Sequence, residues 1–423
     1  MSVEQPQTAS GPIALAEPTA RVGVRYVLPV VLANLGIMLA FYTPIQNLLP
    51  RLATEVAGDG GKEAALAWIT GVGAFMSVVG NPVAGALSDR TTSRLGRRRP
   101  WILWGALIGA LAIAALAFQS TVLGLAVVWG VCQATINAAY AGLTATVPDQ
   151  VPVKQRGMVS GWIGLAQTVG IVLGVALVTL VILALDPGIY LTSILLVLLV
   201  IPVVVTLKDP RLDPADRPEF HWGEWLRSFW VSPREYPDFA WAWITRFLMQ
   251  LGNALATLYL LFWLTDKVGL SKDEAGGAQT LLIGLYALGT IVTAVIAGVI
   301  SDRDGRRKIY VILSTIVMAI SAVLLAFFPV VSVAMVAALI LGLGYGMYLA
   351  VDQALITQVL PRAVDRGRDL GVINIANSAP QVLAPVIAAP IVTSLLGYTG
   401  LYLITAVVTL LSAALVTRIK SVP

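Results

Sequence analysis

The chain has 423 residues, of which 57% are hydrophobic and 12% are charged, and its mean hydropathy is +0.83. Soluble domains carry about 25% charged residues, so this composition excludes an ordinary soluble protein and indicates many membrane spans. The net charge of +5 does not indicate nucleic-acid binding, because the basic residues lie in short loops between apolar segments. One cysteine, Cys132, and one histidine, His221, argue against a disulfide framework, a metal site or a bound cofactor.

The chain begins with a polar segment, residues 1–22, which has no basic stretch followed by an apolar one. We therefore expect a disordered cytoplasmic tail rather than a signal peptide. Twelve apolar segments follow, each long enough to cross about 30 Å of hydrocarbon. They lie near residues 24–49, 65–87, 100–118, 121–145, 157–184, 187–206, 239–265, 275–299, 309–328, 331–359, 371–396 and 398–416. The predicted fold is an all-α polytopic membrane protein, with twelve transmembrane helices arranged as two pseudo-symmetric six-helix bundles.

The lysines and arginines predict which side of the membrane each loop occupies. Twenty-three lie in the tails and in the loops on the side of both termini, whereas four lie in the loops of the opposite side. The positive-inside rule assigns the basic side to the cytoplasm, so we expect a multi-pass protein of the cell membrane with both termini cytoplasmic. The predicted domains are an N-terminal bundle at 23–206, a cytoplasmic linker at 207–239, a C-terminal bundle at 240–417 and a tail at 418–423.

The linker contains an aromatic stretch whose apolar positions share one helical face. These positions are Trp222, Trp225, Leu226 and Phe229. A short helix lying in the cytoplasmic membrane interface is the preferred interpretation, and a regulatory or partner-binding helix is the alternative.

A charged loop motif occurs twice, about 210 residues apart, each time between two apolar segments. The first copy reads Gly85-Ala-Leu-Ser-Asp89-Arg90 and continues after five residues as Gly96-Arg97-Arg98-Arg99-Pro100, and the second reads Gly298-Val-Ile-Ser-Asp302-Arg303-Asp304-Gly305-Arg306-Arg307-Lys308. The halves also align at Arg156-Gly157 and Arg366-Gly367. We therefore predict two halves that run in the same direction, an arrangement typical of transporters whose halves rock around a central site.

The paired loops resemble those of the major facilitator superfamily, and the resemblance extends over essentially the full length of the chain. The longer first copy, with Thr43-Pro44 and Gln46, is similar to glycoside–pentoside–hexuronide:cation symporters and sucrose-type transporters. The resemblance implies a conformational latch, in which Asp89 pairs with arginines in one state and releases them in another. The predicted latch residues are Gly85, Asp89, Arg90, Gly96, Arg97, Arg98, Asp302, Arg303, Gly305 and Arg306. The alternative is that these charges only fix the topology.

The loop glycines and the early spans lead to two further expectations. Gly85 and Gly298 lack side chains and are expected to let neighbouring helices pack closely. The acidic cation-binding residues of the symporter family have no counterpart inside spans one, two and four, which argues against a sodium site of that kind.

One carboxylate, Asp352, lies well inside a predicted span, where an ionised group costs roughly 2.5–3.5 kcal/mol. Span ten is expected to line the cavity in this fold, so Asp352 is predicted to couple protons or to contact the substrate. Arg246, near the start of span seven, either pairs with Asp352 or extends to the lipid headgroups. Proton symport through Asp352 is the preferred energy source, and uncoupled facilitation is the alternative.

Uncharged polar side chains concentrate on the spans expected to face the cavity. Amides, hydroxyls and aromatic rings suit a neutral, polyhydroxylated ligand such as a sugar, although some of them could serve only to join helices. The predicted cavity residues are Asn34, Tyr42, Gln46, Gln133, Asn137, Tyr140, Gln167, Asn253, Tyr259, Tyr348, Asn374, Asn377 and Gln381.

The sequence shows no arrangement typical of catalysis, so a transporter rather than an enzyme is predicted. The expected partners are a small-molecule substrate, protons and the lipid bilayer, and a monomer is expected. Export of a hydrophobic or natural-product molecule is the first alternative, because Gly161, Gly170 and Gly174 partly match the glycine motif of drug/proton antiporters. A membrane sensor or scaffold is the second alternative.

Overall fold

The computed structural model describes residues 18–178, 184–217, 223, 232–304, 306–359 and 366–421. The predicted aromatic helix of the linker and nearly all of the N-terminal tail lie outside these residues.

The described part of the first half is helical almost throughout. It contains α1 Val24–Thr43, a π-helical turn Pro44–Leu48, α2 Leu49–Ala57, α3 Lys62–Asp89, α4 Arg99–Ala115 with a 3-10 turn Leu116–Phe118, α5 Val122–Gln150, α6 Val153–Ala176 and α7 Leu185–Thr206. The segments from α1 to α2 form one continuous span, Val24–Ala57.

The second half repeats this arrangement after a linker that includes a 3-10 turn, Pro214–Asp216. It contains α8 Pro237–Leu258, α9 Leu260–Asp266, α10 Lys272–Asp304, α11 Arg307–Phe327, α12 Val331–Val359, α13 Arg366–Val392 and α14 Gly397–Val416. As in the first half, the first span is divided, here between α8 and α9.

Eleven helical segments in the described part of the chain are long and apolar enough to cross a membrane. The predicted fifth span, 157–184, instead contains α6, whose apolar part covers only Gly161–Ala176. Gln167 and Thr168, in the middle of α6, line the central cavity. The predicted all-α polytopic fold is confirmed, and no strand occurs among the residues that the structure describes.

The first span departs from α-helical geometry at its centre. Pro44 begins the five-residue π-helical turn Pro44–Leu48, a feature that is frequent at functional sites. Gln46 lies in this turn, and Pro50, four residues later, has no N–H to donate to the Gln46 carbonyl. Gln279 of the second half donates its Nε2 to that carbonyl at 2.7 Å. The carbonyl that Pro50 cannot pair thus accepts a hydrogen bond that joins the halves.

Two glycines allow α6 to approach α1 closely. A Cβ at Gly170 would lie 2.5 Å from the Leu35 carbonyl oxygen, and a Cβ at Gly174 would collide with Thr43. Gly161 faces open space. Close helix packing therefore accounts for Gly170 and Gly174, two of the three glycines in the partial antiporter pattern.

The two halves are joined at the end of the bundles opposite the termini. Lys62 Nζ, at the start of α3, lies 2.6 Å from Asp266 Oδ1, at the end of α9. Tyr259 donates its hydroxyl to the Glu63 carbonyl at 3.3 Å. These contacts, with the Gln279–Gln46 bond, describe a state in which the halves are joined on this side.

Candidate transport site

A cavity of about 540 Å³ lies between the two halves, within the size range of small-molecule sites. Helix α1 with its π-helical turn, α5 and α6 line it from the first half, and α8 to α13 line it from the second. Seven of the predicted cavity residues lie in its wall: Tyr42, Gln46, Tyr140, Gln167, Asn253, Asn377 and Gln381. The structure therefore brings these side chains together, and their contact with a substrate stays a prediction.

Three predicted cavity residues on the first-half helices do not line the cavity, and their predicted placement is wrong. Asn34 is buried and donates to the Val30 carbonyl of its own helix at 2.9 Å. Asn137 donates to Gln133 Oε1 at 3.1 Å and accepts from Asn81 of α3 at 3.4 Å. Gln133 and Asn137 thus form a polar contact between α5 and α3, which is the alternative role considered for such amides.

Two predicted tyrosines of the second half also lie outside the cavity wall. Tyr259 is buried at the junction of the halves, where it bonds to Glu63. Tyr348 is buried behind Tyr345, with the ring centroids 6.1 Å apart. The side chain of Asn374 lies outside the described residues.

Helix α10 contributes cavity residues that the sequence reasoning missed. Gln279 and Tyr286 line the cavity, as does Thr290. These positions are separated by seven and four residues along α10 and share one helical face. This polar stripe in an apolar span was visible in the sequence and is the same signal that identified the other cavity helices.

A buried ion pair lies at the wall of the cavity, and Arg246 is the partner that lines it. Arg246 Nη1 of α8 lies 2.8 Å from Asp352 Oδ2 of α12, and the two side chains are 5% and 7% exposed. The predicted pairing of Arg246 with Asp352 is therefore present, and the alternative in which Arg246 extends to the headgroups is wrong. Removing one partner of such a pair costs about 3–5 kcal/mol, because the other charge is left buried without compensation.

Neutral groups hold the Arg246 guanidinium from the cavity side. Arg246 Nε donates to Asn377 Oδ1 of α13 at 2.5 Å, and Gln250 Nε2 donates to the same oxygen at 3.2 Å. Tyr345 in turn donates its hydroxyl to Gln250 Oε1 at 2.8 Å. The ion pair is thus the inner end of a hydrogen-bond network that spans three helices of the second half.

Aromatic rings extend this network along α10. Tyr286 stacks on Tyr345 with ring centroids 5.9 Å apart, and its hydroxyl donates to Asn253 Oδ1 at 3.1 Å. The opposite wall, from the first half, is neutral where the structure describes it. There Gln167 Nε2 donates to the Tyr140 hydroxyl at 3.1 Å.

The first copy of the loop motif forms a compact charged cluster. Arg98 contacts Asp89 at 2.5 Å and Asp149 at 2.8 Å, and Arg97 contacts Asp149 at 2.7 Å. Arg98 also donates to Ser88 Oγ at 2.5 Å. Burial lowers the pKa of Arg98, but Asp89 and Asp149 raise it by more, so the net shift is upward. Asp149, the carboxylate that ends α5, was missed, although its position beside the basic loop was visible in the sequence.

The linker supplies a further carboxylate to this loop. Asp209 Oδ2 accepts from the backbone N–H groups of Arg98 and Arg99, at 2.5 and 2.7 Å, and so caps the start of α4. Gly96 has a φ of 104° and lies against Asp209, so glycine is required there for both conformation and space. Among the described residues, no neighbour lies within 4 Å of a Cβ added at Gly85. The expected close packing at Gly85 stays a prediction.

The second copy of the loop is described only in part. Arg303 and Arg306 are exposed. The side chain of Asp302 and the whole of Gly305 lie outside the described residues. Arg90 of the first copy is partly buried at the end of α3.

Three side chains form what we term the distal gate: Lys62, Asp266 and Tyr398. Lys62 pairs with Asp266, and Tyr398 of α14 donates its hydroxyl to Asp266 Oδ2 at 2.8 Å. The Lys62 ammonium also lies 5.1 Å from the ring centroid of Phe262. The Lys62 side chain is 8% exposed and that of Asp266 29%, so this contact between the halves is largely removed from water.

The two helical halves and the cavity between them define a multi-pass membrane transporter for a small molecule. The family model of the Major Facilitator Superfamily matches residues 30–280 and 242–423. The chain belongs to this superfamily, whose members are in general transporters and not enzymes.

Three curated relatives match parts of the chain. An uncharacterised MFS-type transporter of Schizosaccharomyces pombe is 29% identical over 38% of this chain and 36% of its own length. The general alpha-glucoside permease of the same yeast is 24% identical over 41% and 35%. The arabinose-proton symporter of Bacillus subtilis is 38% identical over 24% and 21%. The matches thus span about a third of these relatives, or less.

Solved structures agree with the fold over nearly the whole chain. A mutant of the nucleoside transporter NupG has a TM-score of 0.75 and 14% identity, with 93% of this chain and 100% of that chain covered. The human organic anion transporter MFSD10 has a TM-score of 0.69 and 18% identity, with 93% and 99% covered. At these identities the likeness shows the fold alone.

Proposed function

We propose that this protein is a proton-coupled symporter of a small polyhydroxylated solute, a sugar or a glycoside, in the cell membrane. The observation that carries the proposal is the buried Arg246–Asp352 pair in the wall of a polar cavity. An ionisable pair inside a membrane is costly and is retained where charge has to move. Protonation of Asp352 breaks the pair, so occupancy by a proton changes the cavity wall that the substrate meets.

The chemistry of the wall supports the substrate class. Each bundle offers amides and tyrosine hydroxyls, which donate to and accept from hydroxyl groups, and aromatic rings on which a sugar ring can stack. The wall includes Tyr42, Tyr140, Gln167, Asn253, Tyr286 and Gln381. The names of two relatives, an alpha-glucoside permease and an arabinose-proton symporter, are consistent with such a substrate and, in one case, with proton coupling.

Protons are favoured over sodium as the coupling ion. The described cavity wall of the first half holds no carboxylate, whereas the glycoside–pentoside–hexuronide symporters that the first loop resembles use acidic residues in their early spans. Asp352 of the second half is the acidic group next to the cavity. The positive charge beside it is an arginine and not a metal ion. In this proposal, the protein is therefore related to the glycoside–pentoside–hexuronide symporters only by the resemblance of its first loop.

We propose alternating access on the basis of the charged contacts at the two ends of the molecule. The distal gate joins the halves on the side opposite the termini, which the distribution of basic residues assigns to the outside. The cluster of Asp89, Arg97, Arg98 and Asp149 lies on the other side. We propose that opening to the outside breaks the distal gate, and that the loop cluster rearranges as the halves rock. A monomer is the proposed transporting unit, because described residues of both halves of one chain line the cavity.

Uptake into proteoliposomes tests the proposal. A panel of labelled sugars, sugar acids and glycosides is supplied with and without an imposed inward proton gradient. The proposal expects gradient-stimulated uptake of at least one sugar, lost in Asp352→Asn. Sugar uptake that does not respond to the gradient contradicts proton coupling. No sugar uptake under any gradient contradicts the substrate class and favours export.

A further inference from the structure

We infer that the transported solute carries a carboxylate, which binds Arg246 when a proton occupies Asp352. The inference rests on the proposed function and narrows its substrate class from polyhydroxylated solutes in general to sugar acids.

Arg246 and Asp352 do not have equal access to the cavity. Arg246 lies in the cavity wall, and it is the one charged residue among the described residues that line the cavity. Asp352 is buried behind it and does not line the cavity. Of the two partners, Arg246 is therefore the one that a solute in the cavity can contact.

Protonation of Asp352 leaves the guanidinium without a counter-charge. An arginine does not lose its own proton under these conditions, and a buried charge without a partner destabilises the state that contains it. A neutral sugar replaces the lost interaction only with neutral hydrogen bonds. A carboxylate replaces it in full, because the guanidinium binds both carboxylate oxygens through parallel hydrogen bonds.

The surroundings hold the guanidinium ready for this exchange. Its Nε is fixed by Asn377, which also accepts from Gln250. The hydrogen bond to Asn377 does not depend on Asp352, so the side chain keeps its position when the ion pair opens. The neutral wall formed by Tyr140 and Gln167 across the cavity suits the hydroxyl groups of the same solute.

The titratable groups that act on Asp352 are few in the described part of the protein. Arg246 faces it from α8, and Tyr348 and Tyr345 act on it from its own helix α12. Asn377 of α13, the other element at the pair, is uncharged. The proton that enters Asp352 is thus matched by the negative charge of the solute. One proton and one carboxylate cross together, and the charge of the cavity is the same before and after.

Matched ligands test the inference directly. Hexuronates are compared with the corresponding hexuronamides, which have the same shape but no charge, and with neutral hexoses, in proteoliposomes with an inward proton gradient. We expect uptake of at least one hexuronate to exceed that of its amide by roughly tenfold or more. Gradient-driven uptake of a hexose, with no uptake of any hexuronate, overturns the inference and leaves the proposed function standing. Uptake of none of them overturns both.

Binding to purified variants gives a second test that does not require turnover. In Asp352→Asn the guanidinium is permanently unpaired, so hexuronate affinity at alkaline pH should rise about tenfold over the unaltered protein and become independent of pH. The double variant with Arg246→Gln and Asp352→Asn removes both charges and should bind the hexuronate and its amide equally. A double variant that still prefers the hexuronate about tenfold overturns the inference. Arg246→Lys keeps the positive charge but cannot form two parallel hydrogen bonds to a carboxylate. It should therefore retain part of the preference for the hexuronate.

Discussion

The two halves of this transporter carry their buried charges in different places. In the first half, Arg97 and Arg98 are buried at the membrane surface, where they meet Asp89 and Asp149. In the second half, the pair of Arg246 and Asp352 lies in the wall of the central cavity. The cavity wall of the first half is neutral where it is described. The halves thus share a fold but differ in where their charges lie: charge in the first half ties helix ends together, and charge in the second half lies at the central cavity.

The largest effect is expected from breaking the cavity pair. Asp352→Asn leaves Arg246 buried without a counter-charge, which should lower the free energy of unfolding by about 3–5 kcal/mol. The variant should also lose accumulation driven by a proton gradient while keeping exchange of substrate across the membrane. The free energy is followed by denaturant unfolding in detergent.

The double variant with Arg246→Gln and Asp352→Asn serves as the control for this prediction. Both charges are removed, so most of the lost stability should return while gradient-driven accumulation stays absent. A double variant less stable than Asp352→Asn would show that the pair is not the source of the effect.

The surface cluster of the first half should respond differently to loss of its two carboxylates. The Asp149 side chain is 21% exposed and meets two arginines, so Asp149→Asn should destabilise the protein by roughly 2–3 kcal/mol. The Asp89 side chain is 56% exposed, so Asp89→Asn should cost less than about 1 kcal/mol. Asp89→Asn should instead slow turnover and leave substrate binding intact, as a latch requires. Equal stability losses, or an unchanged transport rate in Asp89→Asn, would contradict this division.

The distal gate extends the comparison because its Lys62–Asp266 ion pair joins the two halves. Asp266→Asn removes the partner of Lys62 and of Tyr398, which should shift the equilibrium toward the outward-open state by about 1–2 kcal/mol, or roughly 5- to 30-fold. Spin labels at the exposed positions Glu55 and Lys272 report the separation of the halves. A charge exchange, Lys62→Asp with Asp266→Lys, should restore the short distance. An unchanged distance distribution in Asp266→Asn would contradict the proposed role of the distal gate.

The smallest effect is expected at the linker. Asp209→Ala removes the cap of α4 and should cost about 1 kcal/mol. Asp216→Ala removes the same charge from an exposed position of the same linker and is the matched control. Equal stability of the two variants in denaturant unfolding would show that the cap contributes nothing.

Much of the fold was predictable because hydrophobicity and charge act locally in membrane segments. Eleven of the twelve predicted spans correspond to long apolar helices. For the fifth predicted span, 157–184, the structure describes α6 but not residues 179–183, and the apolar helix described there is Gly161–Ala176. Asp352 and Arg246 were also recognisable, since a charge inside a span is rare enough to be conspicuous in any sequence.

The positions of neutral polar residues were harder to predict. Gln133 and Asn137 have the same composition and spacing as cavity residues, yet they face α3. Which face of a helix meets the cavity depends on the rotation of that helix within the bundle, and period alone does not give the rotation. Contacts such as Lys62 with Asp266, or Asp209 with the start of α4, join residues more than a hundred positions apart. Such pairs depend on the packing of whole helices and not on local sequence.

Proton movement coupled to substrate entry tests the central claim most directly. Proteoliposomes are placed in lightly buffered medium, a substrate identified by the uptake panel is added, and the external pH is recorded. The account predicts that the medium becomes alkaline with the unaltered protein, as protons enter with the substrate. With Asp352→Asn the substrate should still enter down its gradient without any change in pH. Equal alkalinisation in the variant would show that protons cross by another route and would contradict the role of Asp352.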